Sequence, residues 1–127
     1  MTYRFRYFLP VVVFFLWIGC GSDDITSPEQ IVFPATGVSY RQQIAPLFTL
    51  SCNVAGCHDA PRPDNYNTDL TSWTGIRSIN VVNQPGDTAC GLIRVIYARE
   101  SHPGPLRINT NHREGIKQWV LEGAQNN

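Results

Sequence analysis

The sequence predicts a small, mostly α domain behind an N-terminal leader. Three observations lead there. Apolar residues recur at three- and four-residue intervals in several segments, the signature of helices with one buried face. Cap-forming Ser, Asp and Asn residues stand just ahead of those segments. No stretch alternates apolar and polar residues with comparable strength, and no internal repeat is present.

The leader comes first. Arg4 and Arg6 open the chain with no acid nearby, an apolar run follows from Phe8 to Ile18, and small Gly19 precedes Cys20. That order is a secretory signal, and its apolar run is too short to stay in a bilayer as a spanning helix. "LWIGC" resembles the lipobox of bacterial lipoproteins, with Trp17 where that family prefers leucine. The resemblance implies residues 1–19 as a signal peptide, acylation of Cys20 and a lipid anchor to a membrane, so that the domain sits in the cell envelope, facing the periplasm or exterior. An ordinary signal peptide or an uncleaved anchor is the alternative. Residues 20–37, rich in Ser, Asp, Pro and Gly, suit a tether. Without residues 1–19 the chain has 8 basic and 10 acidic residues and no basic patch, which speaks against nucleic acid as a partner.

Residues 38–127 form one domain of modest core, where a bound or covalent stabiliser helps. Tyr40, Ile44, Leu47 and Phe48 lie at helical spacing behind Ser39, a cap candidate, with Pro46 kinking the helix or opening its last turn. A polar loop, "PRPDNYNTD", comes next. Leu70, Trp73 and Ile76 suggest a short helix, and "NQPGD" a turn. Asp87 reads as the cap of a helix with Leu92, Ile93 and Ile96 inward. Pro103 and Pro105 around Gly104 exclude helix there. Asn111 and Glu114 form a capping pattern for a last helix with Ile116, Trp119, Val120 and Gly123 on one face.

The chemistry is concentrated in "SCNVAGCH". Cys52 and Cys57 are separated by four residues and His58 follows directly. Cys-x-x-Cys-His is the covalent haem attachment pattern: two thiols bind the porphyrin edge as thioethers and the imidazole binds iron from one face. Four intervening residues serve if the extra ones bulge outward, and "NVAG" is small and carries a glycine for the turn. A Cys52–Cys57 disulfide is a competing reading in an exported protein. A zinc site from Cys52, Cys57, Cys90 and a histidine is another, without the paired knuckles such sites show. Cys90 reads as a small buried side chain rather than a functional thiol.

"YRQQIAPLFTLSCNVAGCH", "DLTSW", "QPGDTACGLIRVI" and "IKQWVLEGAQNN" together resemble small planctomycete-type and related lipoprotein c-type cytochrome domains over residues 38–127. The resemblance implies a class I cytochrome c fold, with first and last helices packed beside one covalent haem c held by Cys52, Cys57 and the proximal ligand His58. Family members place a methionine in the loop before the last helix as distal ligand. Here the only methionine is Met1, and His102-Pro103 stands at the matching place, so His102 is the expected distal iron ligand. His112, expected to face solvent at the helix start, is a rival, and an open iron the alternative. Replacing methionine by histidine lowers the haem potential. Arg77, Arg94 and Arg107 are candidates to pair a haem propionate. Trp73 is read as a shield for a haem edge or as core filling.

The expected function is single-electron transfer by a membrane-tethered monohaem cytochrome, not an enzyme, whose partners are exported redox proteins or a membrane-associated redox enzyme. A ligand-binding haem sensor with an open distal site and a haem-free, disulfide-stabilised lipoprotein are the alternatives.

Overall fold

A computed structural model describes residues 24–59, 69–78, 81–98, 102 and 106–127. The leader 1–19, the lipidation candidate Cys20, most of the polar loop after Ala60 and residues 103–105 lie outside the described residues. Those described form four α-helices and no strand, in keeping with the mostly α class. None of their helices is long and apolar enough to cross a membrane.

A 3₁₀ turn, Pro28–Gln30, comes first, and a wide π-helical turn, Tyr40–Ile44, leads into α1, Ala45–Ser51. Ser39 caps this stretch, its hydroxyl accepting from the Gln42 N–H. Pro46 sits in the first turn of α1 and has no N–H to give, and the turn before it widens so that the Ala45 N–H reaches the Tyr40 carbonyl. The helix therefore continues past its proline. α2, Trp73–Ile76, is a single turn capped by Ser72. α3, Gly91–Ala98, buries Leu92, Ile93 and Ile96 as their spacing predicts. Asp87 lies four residues ahead of it and accepts from the Ala89 N–H, bracing the preceding turn instead of capping the helix.

α4, Thr110–Leu121, starts two residues earlier than the sequence suggests. Its cap is Asn109, whose side chain accepts from the His112 N–H, while His112 Nδ1 accepts from the Asn109 N–H. Asn111 is diverted elsewhere: its side-chain oxygen accepts from the Phe33 N–H. Ile116, Trp119 and Val120 fill the centre of the core, and the Trp119 ring lies 6.0 Å from that of Tyr40, joining the first helical stretch to the last.

The packed body reaches back beyond residue 38. Ile31 and Phe33, placed by composition in the tether, are buried in the same core while Val32 between them is 72 % exposed. Phe33 lies against Gly115, where any Cβ would collide with its side chain. Two further clasps hold this region: Glu122 accepts from the Gly37 and Val38 N–H groups, and Asn127 accepts from Ser39, Tyr40 and Arg41.

Candidate functional site

The end of α1 builds the cysteine loop. The Phe48 carbonyl accepts from both Cys52 and Asn53 N–H groups, which closes the helix as Cys52 enters. The chain then loops out through "NVAG", turns at Gly56 in the left-handed region (φ 83°), and returns. The His58 N–H donates to the Cys52 carbonyl at 3.2 Å and the Cys57 N–H to Val54 at 2.9 Å. The extra residues thus bulge outward, and the backbone is pinched where Cys52 and His58 meet. A β-branched or bulky residue at 56 would be strained there.

Two long-range hydrogen bonds set this loop against the rest of the chain. Asn53 Nδ2 donates to the Leu70 carbonyl at 3.0 Å, and Ser51 Oγ donates to the Arg107 carbonyl at 3.1 Å. The second bond ties the cysteine loop to the segment that follows His102. The imidazoles of His58 and His102 consequently lie together, ring centroids 6.3 Å apart and planes inclined by 35°.

That separation is informative. A metal–nitrogen bond of about 2 Å, added to about 1 Å from nitrogen to ring centre, puts two imidazoles on opposite sides of one metal ion about 6 Å apart. Ordinary tilted ring packing gives a similar spacing, as Phe33–His112 and Tyr40–Trp119 show at 6.0 Å. The distance is therefore one that a metal ion held between two imidazoles allows, and one that tilted ring packing allows as well. Among the described residues no three His, Cys, Asp or Glu side chains converge, so Cys52, Cys57, Cys90 and a histidine form no zinc cluster there.

The three described cysteines are free thiols. Cys57 is exposed. Cys52 is half-buried, and its thiol is pushed up to about 12, by burial first and then by the charge of Cys57. Such a thiol is scarcely ionised at neutral pH and is a poor nucleophile. Cys90 is buried in the core, beside the start of α3, as a small apolar residue would be.

His112 is not at the helix surface. Its ring is 1 % exposed and tilted against Phe33 at 6.0 Å between centroids, so it serves the core. Of the arginines, Arg77 spends its guanidinium on the Val82 carbonyl at 2.6 Å. Arg94 is exposed on α3. Arg107 is exposed and adjoins the cysteine loop through the Ser51 bond. Trp73 is half-buried against the core with its indole N–H donated to the Ala124 carbonyl at 2.9 Å. Ser51 and Asn53 were not singled out by the sequence. Their partners lie 56 and 17 residues away, so no local pattern could have marked them.

No family model matches the chain, and neither a curated protein nor a solved structure matches it.

Proposed function

We propose that the chain is a membrane-tethered monohaem c-type cytochrome that passes single electrons between exported redox partners. The observation that supports this best is the 6.3 Å apposition of His58 and His102 beside the Cys52–Cys57 loop. In this reading Cys52 and Cys57 hold the porphyrin edge as thioethers, each S–H adding across a vinyl double bond. His58 and His102 would hold its iron. Haem, when bound, supplies the one-electron iron couple.

The chain's own residues then do three things. The two thiols fix the cofactor so that it is not lost from a small domain. The two imidazoles would both hold the iron, which would leave no position open to small ligands and favour electron transfer over gas sensing. Arg107, exposed next to the cysteine loop, is the best placed of the three arginines to meet a propionate. Two imidazoles, with no methionine beyond Met1, also set a low potential. The partners would be exported redox proteins or a membrane-associated redox enzyme, with Cys20 carrying the lipid that holds the domain at the membrane.

Absorption spectra of the protein, exported by a host that matures c-type haem, test the reading. Low-spin bands in both oxidation states, turning high-spin in His102→Ala, are expected. A high-spin spectrum in the unaltered protein would make the site an open one, and a colourless protein would remove haem from the account.

A further inference from the structure

His112 is a buried titratable group for which electron transfer has no use. Its ring closes the start of α4 and lies beneath the segment that leads from the N-terminal region into the domain. Nδ1 accepts from the Asn109 N–H at 3.2 Å, so the proton of the neutral ring is on Nε2. Nε2 is buried and makes no hydrogen bond of good geometry, although the carbonyls of Pro28 and Ile31 lie near enough to favour its proton. The lid over the ring is thin. It consists of the 3₁₀ turn Pro28–Gln30 and the extended residues Ile31–Phe33, held by Phe33 on His112 and Gly115 and by the Phe33 N–H on Asn111.

From this geometry we infer that His112 is a proton-operated latch: protonation of its ring releases residues 28–33 from α4 while the rest of the domain stays folded. A second proton would have to go to Nδ1, where it would face the Asn109 N–H donor to donor and put a charge under an apolar lid. Once the lid lifts, the imidazolium reaches water. The charged groups beside the ring include Glu29 on the lid and Arg113, the next residue of α4, whose Nη2 donates to the Ile108 carbonyl at 3.5 Å while its Nε is buried without a partner. Glu29 steadies an imidazolium in the closed state and so opposes release. Burial outweighs both that charge and the two carbonyls, and holds the His112 pKa below its ordinary value.

The sign follows. The open state binds the proton more readily, so opening gains from acid once the pH falls below about 6.5, the ordinary histidine value, and stops gaining below the lowered closed-state value. Within that window the opening constant rises by up to about tenfold per pH unit. If Cys20 carries the anchor, as the functional proposal has it, release adds residues 28–33 to the tether, at most about 20 Å of extended chain. Acid would then lengthen the reach of the domain from the membrane.

Hydrogen–deuterium exchange of the full chain between pH 7.5 and 4.5, expressed as protection factors to remove the intrinsic pH dependence of exchange, tests the latch. The expected result is that peptides spanning residues 24–37 lose protection several-fold to tenfold per unit below pH 6.5, while residues 115–122 of α4 keep theirs. His112→Gln retains an N3 side chain that can accept from the Asn109 N–H but cannot titrate, so its lid should hold at every pH. Glu29→Gln should deepen the loss at the acid end. The latch is overturned if residues 24–37 stay protected to pH 4.5, if His112→Gln or Glu29→Gln follows the unaltered profile, or if α4 loses protection in step with the lid. Exchange of the lid does not depend on acylation, which the mass of the Cys20 peptide reports separately.

Discussion

His58 and His102 are separated by 44 positions in the chain and meet at 6.3 Å, and what each can do depends on that meeting. At this scale the exchange of one ligand is the sharpest probe. If the chain holds haem as proposed, His102→Met should raise the potential measured by redox titration, because a thioether favours reduced iron more than imidazole does. A potential that falls or stays put would mean that residue 102 does not reach the iron. The thiols offer a second check in protein prepared without haem. Exposed Cys57 should react with iodoacetamide at pH 8 at least tenfold faster than Cys52, whose thiol burial pushes up to about 12. Equal rates, read by peptide mass, would mean that the end of α1 is open in solution. The Cys52–Cys57–His58 pattern could be singled out because it is local, and His102 only by its place in a resemblance; that the two histidines lie together came from the structure. The buried position of His112 was not legible, since a histidine directly after the expected cap Asn111 normally faces water and only the lid from residues 28–33 makes it interior.

At the scale of elements, the helices that spacing predicts are those that form, because Ile44, Leu47, Phe48, Ile96, Trp119 and Val120 each need one buried face. The start of α4 was misread by two residues. Asn109 and Asn111 both offer a cap, and the choice between them is made by Phe33, whose N–H takes the Asn111 oxygen. Losing the true cap through Asn109→Ala should cost about 1 kcal/mol in denaturant unfolding. Gly115→Ala should cost about 1–3 kcal/mol, since the new Cβ would meet the base of the Phe33 side chain, which is not free to swing away. An unchanged midpoint for Gly115→Ala would show that residues 31–33 are not docked. Burial of Ile31 and Phe33 escaped the sequence for a simple reason. An in–out–in pattern of three residues between prolines is too short to register as periodicity.

On the scale of the whole molecule, the chain is a loop-rich body closed by clasps between its first and last described segments. Glu122 is the most consequential of these. Hydrogen bonds from the Gln118 side chain first, and then from the Gly37 and Val38 N–H groups, hold its carboxyl below the usual carboxylate value. A depressed folded-state pKa means that this contribution is complete above the ordinary value of 4.5 and fades as the pH falls through the lowered one. The neutral His112 acts in the same direction at higher pH, so thermal stability should fall in two acid steps, the first below about 6.5 and the second below 4.5. Glu122→Gln should shrink the lower step in calorimetry, to which Glu29 and Asp69 also contribute, and leave the upper one. The mostly α class was readable from spacing alone, whereas the docking of the N-terminal segment and the Ser51 and Asn53 ties are long-range and leave no local trace.

The central claim is a haem covalently held by Cys52 and Cys57 between two histidines, and the mass of one peptide tests it most directly. The full chain would be exported by a host that matures c-type haem, denatured, extracted with acid and digested. The account predicts that the peptide containing Cys52 and Cys57 carries the added mass of one haem. A peptide of unmodified mass, or one lighter by two hydrogens as a disulfide, would contradict it.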